Sequence, residues 1–151
     1  MAAPVDAFSG ELGAFAELLP DHLLGVQPAA GAGFIQALDS RWWWRFDSVR
    51  FTLTTSAAVA NRFVTVDYCD PEGTPWVRSP ALAVQAAGVA QEYDFQARSI
   101  GVQGIAGQPM FADLPKVILP PGWQLRINVG AIDVADQLSA IRLYVAKFLP
   151  G

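Results

Sequence analysis

The chain holds a single histidine, His22, and a single cysteine, Cys69. Any Ser/His/Asp or Cys/His mechanism would have to run through His22. That residue follows Pro20-Asp21 in a weakly patterned stretch and reads as an exposed or loosely packed side chain. One Cys and one His fall short of the roughly four protein ligands of a closed zinc site. Cys69 lies between an alternating segment and a turn, so it reads as a small buried hydrophobe. Asp67, Asp70 and Glu72 gather three carboxylates at one turn, a set that can attract calcium. Their spacing is not that of a D-x-D-x-D-G loop, and Asp70-Pro71-Glu72-Gly73 has the residues of a type I turn. Asp133 and Asp136 flank a second loop and are expected to bond its backbone amides. Nothing sets two carboxylates across a cleft, as a glycosidase needs. Gly101, Gly104 and Gly107 lack the Lys and the strand-loop-helix setting of a phosphate loop and read as a flexible loop. The expectation is a protein with no catalytic residues, no metal and no cofactor.

Binding is the chemistry better represented. In Arg41-Trp42-Trp43-Trp44-Arg45-Phe46, an extended backbone turns Trp42, Trp44 and Phe46 to one side. Arg41, Trp43 and Arg45 then share the other, an indole between two guanidinium groups. Trp and Arg are the residues enriched in interface hot spots, and Arg stacks on Trp. Phe8, Leu12, Phe15 and Leu19 fall on one helical face behind Asp6, a possible cap, and before Pro20, a stop. Phe8, Leu12, Phe15, Leu19, Arg41, Trp43 and Arg45 are therefore the expected interaction residues. Trp76, Trp123 and Trp43 are the rings to which a sugar would bind in an alternative reading.

The elements that must position these residues change character near residue 40. Residues 1–40 are rich in small residues, Pro and Gly, and read as an N-terminal arm with one short helix. Residues 41–151 read as a sandwich domain of about eight short strands. Val49, Phe51 and Leu53 alternate with Arg50 and Thr52. Val64, Val66 and Tyr68 alternate with Thr65 and Asp67. Trp123, Leu125, Ile127 and Val129 alternate with Gln124, Arg126 and Asn128. Period two is the mark of half-buried strands. The phase shift between Leu138 and Ile141 predicts a bulge or a strand start near Ser139. Strands at spacings of roughly 8–12 residues predict an all-β, jelly-roll-like antiparallel β-sandwich.

Composition narrows the partners. Charged residues make up 16% and hydrophobic residues 52% of the 151, against about 25% charged in typical proteins. Charge depletion marks interface cores, so part of the surface is expected to face other protein chains. The net charge of −4 comes without any Lys/Arg run, which speaks against nucleic acid and against an anionic membrane. The first fifteen residues lack a basic n-region and a long apolar stretch, so no signal peptide is expected. One thiol fits assembly in a reducing cytoplasm.

Three segments add a likeness. Leu119-Pro120-Pro121-Gly122-Trp123-Gln124-Leu125-Arg126-Ile127, Ala135-Asp136-Gln137-Leu138-Ser139-Ala140-Ile141-Arg142-Leu143 and Ala60-Asn61-Arg62-Phe63-Val64-Thr65-Val66 resemble small structural proteins encoded among tailed-phage virion genes. The likeness covers about residues 41–148 and leaves the arm unmatched. It implies a β-sandwich virion component of capsid decoration (cement) type, without catalytic residues. It also implies a location in the virion after assembly in the host bacterial cytoplasm. Its partners would be the major capsid protein or another virion protein, together with further copies of itself, a trimer being favoured. A tail, neck or baseplate component is a close variant, and a carbohydrate-binding sandwich module is the alternative.

Overall fold

The computed structural model describes residues 15–17, 21–97 and 108–150. Among them are strands β1 (Phe15–Glu17), β2 (Asp21–Leu24), β3 (Phe34–Ala37), β4 (Trp43–Thr54), β5 (Phe63–Cys69) and β6 (Pro75–Pro80). β7 (Ala90–Gln96), β8 (Met110–Asp113), β9 (Ile118–Leu119), β10 (Gln124–Gly130) and β11 (Gln137–Pro150) complete the set. The chain is all-β in two sheets, and no helix occurs among the described residues.

Four antiparallel pairs organise the sheets: β2 with β11, β3 with β10, β4 with β7 and β5 with β6. The first sheet runs β2-β11-β4-β7 and the second β3-β10-β5-β6. Chain order therefore zigzags between the layers, as if a long paired ribbon had been rolled up. β1 extends the edge of β11, β9 the edge of β4, and β8 lies beyond β7. The β7–β8 pair is parallel, with Tyr93 opposite Met110, which corrects the expectation of a purely antiparallel sandwich. A long connection between these strands allows the parallel return, which a hairpin cannot supply.

The core lies between the facing sheets. Phe46, Phe51, Phe95 and Leu143 from the first meet Val66, Tyr68, Leu125 and Ile127 from the second in one buried cluster. Phe46 stacks on Tyr68 across the layers, with ring centroids 5.9 Å apart. The alternation expected for β4 holds in two phases, with Trp44 and Phe46 buried on even numbers and Val49, Phe51 and Leu53 on odd. Tyr144 faces Ser48 while Val145 faces Phe46, so Asp47 is an extra residue that switches the phase. The bulge expected near Ser139 is present. Ser139 faces Thr52, Arg142 faces Arg50, and Ala140 between them takes a φ of 51°.

The helix expected from Phe8, Leu12, Phe15 and Leu19 is not found where the chain is described. Phe8, Leu12 and Leu19 lie outside the described residues. Phe15 lies in β1, with Phe15 opposite Pro150 on β11. The open edge of β11 offers backbone partners, and such tertiary pairing overrides weak local periodicity. Residues 21–38, expected within the arm, supply a strand to each sheet and place Phe34 and Leu38 in the core. The Gly101, Gly104 and Gly107 loop lies outside the described residues.

Candidate functional site

Of the expected contact residues, Phe8, Leu12 and Leu19 are outside the described set, and for Phe15 only the backbone pairing is described. Arg41 is not in the strand. It sits in the turn before β4, where its backbone N–H and Nε donate to Asp39 Oδ1 at 2.9 and 3.1 Å, and Nη2 donates to Oδ2 at 2.9 Å. These bonds hold Asp39 well below the usual carboxylate range, at about 2. Arg45 donates to Asp47 at 2.9 Å and lies over the Phe148 ring, 5.5 Å from its centroid. Trp43 is half-buried. The strand thus has Trp44 and Phe46 inward as expected. Each guanidinium is tied to a neighbouring carboxylate.

The groups with catalytic potential are scattered. His22 is exposed and stacks on Tyr144, with centroids 4.6 Å apart. Cys69 is buried, and burial pushes its thiol upward, away from the reactive thiolate. Asp70 builds its turn as expected. Its carbonyl accepts from Gly73 N at 2.9 Å, and its Oδ1 accepts from Glu72 N at 3.1 Å and from Thr74 N at 2.8 Å. Trp76 Nε1 donates to Asp70 Oδ2 at 3.0 Å, the chief reason its carboxyl is lowered. Asp67 faces the outside of the second sheet, in a groove of about 380 Å³ bordered by Phe63, Arg78 and Arg126. Its carboxylate is buried and accepts from Asn128 Nδ2 at 2.7 Å and from Arg78 Nε at 3.2 Å. Arg126 is bonded to Gln124 Oε1 at 2.9 Å. In the groove, then, Asp67 and Arg78 are paired with each other, whereas Arg126 is bonded to a neutral amide. No group of three metal-ligating side chains occurs among the described residues.

The most constructed site is at one pole, where segments 25–33, 55–62, 81–89 and 131–136 connect the strands. Arg62 and Asp136 form an ion pair there with both side chains fully buried, Nε to Oδ2 at 2.8 Å and Nη2 to Oδ1 at 3.0 Å. The remaining capacity is filled. Arg62 Nη1 donates to the carbonyls of Ala58 and Ala60, and Asp136 accepts from Ser56 N at 2.7 Å and from Asp133 N at 2.8 Å. Burial alone would raise the Asp136 carboxyl. The Arg62 hydrogen bonds, the two backbone amides and the Arg62 charge outweigh it and hold the group at about 2. Backbone bonds join the other segments to this centre. Gly31 N donates to Asp136 O at 2.8 Å, Thr55 N to Val89 O at 2.9 Å, and Gly88 N to Ser56 O at 2.7 Å. Beside it, Tyr93 donates to Gln85 Oε1, and Gln85 Nε2 donates to Leu53 O and Val89 O, each at 2.8 Å.

The expectation that Asp133 and Asp136 bond turn amides holds, but sequence reasoning missed Arg62 as their partner. The signal was present. Arg62 is in phase with Val64, Val66 and Tyr68, so the same alternation that buries those residues turns Arg62 inward. Asp136 is likewise in phase with Leu138.

Gly31 supports this pole. Its φ of 76° lies in the left-handed region, and a Cβ there would stand 2.8 Å from Val134 Cα. Gly31→Ala is expected to cost at least about 1–2 kcal/mol for the left-handed backbone alone. Thermal unfolding should show it as a drop of about 2–4 °C per kcal/mol. A variant melting with the parent would contradict this.

No family model matches the chain, and no curated protein matches it. Among solved structures, a chain in a structure of infectious bursal disease virus, Gt strain, overlaps 91% of this chain at 12% identity and a TM-score of 0.35. This chain spans about a third of that one, 32% of its length. A superposition this loose carries no argument.

Proposed function

We propose that this chain is a non-enzymatic structural protein of a tailed-phage virion, most concretely a capsid decoration protein that binds the assembled head as a homo-oligomer. The three segments that resemble phage structural proteins carry this reading, because they converge in space. Arg62, from the segment beginning at Ala60, pairs with Asp136, from the segment beginning at Ala135. The third segment enters β10, which lies along β5 with Ile127 opposite Val66. The likeness thus follows one connected part of the fold, including its buried ion pair. The rolled-ribbon strand order fits a jelly roll, an architecture used by viral capsid and lectin domains. Binding the assembled shell in preference to free subunits would stabilise it by mass action. Assembly would take place in the bacterial cytoplasm, with the major capsid protein as partner. A trimer is the favoured state, because symmetric oligomers match symmetric shells. A place in the tail, neck or baseplate is the nearby variant.

The test is sedimentation of purified protein with heads of the phage that encodes it. The protein should pellet with the heads in a saturable ratio and raise the temperature at which they open. Protein left wholly in the supernatant, with heads unchanged, would end this reading. One feature favours a carbohydrate-binding alternative. Trp76 is 68% exposed, and its ring lies 6.2 Å from that of Trp123. Glycan-array binding that disappears in Trp76→Ala would move the assignment there.

A further inference from the structure

The outer face of the second sheet carries a positive charge that the fold orients but does not neutralise. β5 and β10 set Arg126 directly opposite Asp67, a placement from which cross-strand ion pairs form. Asp67 is spent on other donors. Its Oδ2 accepts from Asn128 Nδ2 at 2.7 Å, and Oδ1 and Oδ2 share Arg78 Nε at 3.3 and 3.2 Å. Arg126 turns to Gln124 instead, its Nε and Nη2 donating to Oε1 at 3.0 and 2.9 Å. Gln124 is held in turn, its Nε2 donating to Pro71 O at 3.1 Å. Gly73 supports the guanidinium from another side. Its φ of 89° is left-handed, and a Cβ there would stand 3.0 Å from Arg126 Cζ. The turn can lie this close only because that position has no side chain.

An amide fixes a guanidinium without cancelling its charge. The bonds of Arg126 engage Nε and Nη2 and leave the donors of Nη1 over. The charged side chains lining the groove of about 380 Å³ are Asp67, Arg78 and Arg126. Asp67 and Arg78 are paired, so the balance is one positive charge, in a chain of net charge −4. The carboxylates of the adjoining turn leave that balance standing. Asp70 is bonded to Trp76 and to turn amides, and Glu72 is exposed.

One surplus charge on a planar fork selects a ligand. A carboxylate brings one negative charge and two coplanar acceptors, which a guanidinium matches. A phosphate dianion would set a second charge against the Asp67 carboxylate. Farther along, the groove turns apolar. Gly130 stands opposite Phe63, four residues from the Arg126–Asp67 position and so roughly 13 Å along the strands. Phe63 is 58% exposed. With Thr65 it also borders a second hollow of about 320 Å³, completed by Pro80, Leu82 and Val84.

We propose that this groove binds a carboxylate bearing an apolar group at its far end, with Arg126 receiving the carboxylate and Phe63 the apolar group. Two sources carry that chemistry. One is a free medium-chain carboxylic acid, and the other is an acidic side chain followed by apolar residues in a partner protein. The site goes beyond the assembly reading and does not depend on it.

The test is NMR titration of the isotope-labelled full chain with two probes. These are sodium decanoate below its micelle concentration and the peptide acetyl-Glu-Val-Thr-Val amide. The Arg126 Nε–H signal and the amides of β5 and β10 should shift saturably. Acetate should bind more weakly than decanoate, and inorganic phosphate no more tightly than acetate. Arg126→Met should weaken binding at least about tenfold, the scale of a charge-assisted hydrogen bond. Gln124→Glu should do the same while Arg126 stays in place, because the new carboxylate neutralises the guanidinium. Both side chains are half-buried, and the circular dichroism of the variants should match the parent. Tighter binding of decanoate or of the peptide upholds the site and assigns its source to a free acid or to a protein. No saturable shift with either probe, binding that survives both substitutions, or phosphate displacing decanoate would overturn the proposal.

Discussion

Asp136→Ala is expected to lower the unfolding free energy by about 3–5 kcal/mol, as breaking one side of a buried ion pair does elsewhere. Three losses coincide. The Arg62 guanidinium stays fully buried without its counter-charge. Ser56 N and Asp133 N lose their acceptor. The connection between segments 55–62 and 131–136 loses its centre. Domains are stable by only about 5–15 kcal/mol, so the change removes a large fraction of the total. Urea titration should show an earlier midpoint at unchanged slope. A loss under about 1 kcal/mol would show that the pair is not buried as described. Replacing both Arg62 and Asp136 with apolar residues is expected to recover part of the loss, since no stranded charge remains. Recovery stays partial, because Ser56 N, Asp133 N and the carbonyls of Ala58 and Ala60 lose their partners as well.

The same pair sets the acid limit. The folded-state Asp136 carboxyl is lowered to about 2, below the roughly 3.9 of an unfolded aspartate. A group lowered on folding contributes its stability above the unfolded value and loses it as pH falls toward the folded one. Asp133 and Asp70 are lowered too, chiefly by the Ala135 amide and by Trp76, and act in the same direction. Stability should be level from neutral pH to about 5, then decline between about 4 and 2. In Asp136→Ala that decline should be shallower. An equal acid slope in parent and variant would remove Asp136 from the account.

Phe51→Ala is the second large effect, at about 3–5 kcal/mol for an aromatic ring deleted from a core. Phe51 is 1% exposed, and its ring centroid lies 5.2 Å from that of Tyr93 and 6.0 Å from that of Phe95. Both neighbours come from the adjacent strand β7 and cannot close the gap without leaving the sheet. Tyr93 is further restrained by its bond to Gln85, so the cavity is expected to persist. Phe51→Leu, which leaves a smaller void, should cost markedly less. Equal losses for the two would mean that the site collapses freely. Denaturant titration of both variants beside the parent decides this.

Much of the fold was legible in the sequence, because most strands expose one face. Alternation located β4, β5, β7, β10 and β11, and the phase slip between Leu138 and Ile141 located the bulge at Ala140. The companion bulge was equally written in the shift from Trp44 and Phe46 to Val49 and Phe51, but it shows only when both runs are read as one strand. β2 and β3 were not legible. Each has four residues, lies among glycines and prolines, and is held by pairing with β11 and β10, which are distant in the chain. β1 was masked by a helical spacing that the edge of β11 overrides. The candidate site was half legible. The two aspartates drew attention as turn formers, whereas Arg62 was given no role although its place in the alternation pointed inward.

The two longest strands, β4 with 12 residues and β11 with 14, run beside each other and carry one surplus residue apiece, Asp47 on one and Ala140 on the other. The surplus positions lie at different heights along the ladder. Like the wards of a lock, they fit each other at a single setting, and slippage by two residues would set each kink against straight backbone. Register is otherwise specified only by which face of a strand is buried, and a slip by two residues leaves that face unchanged; the two kinks supply the discrimination that burial alone lacks.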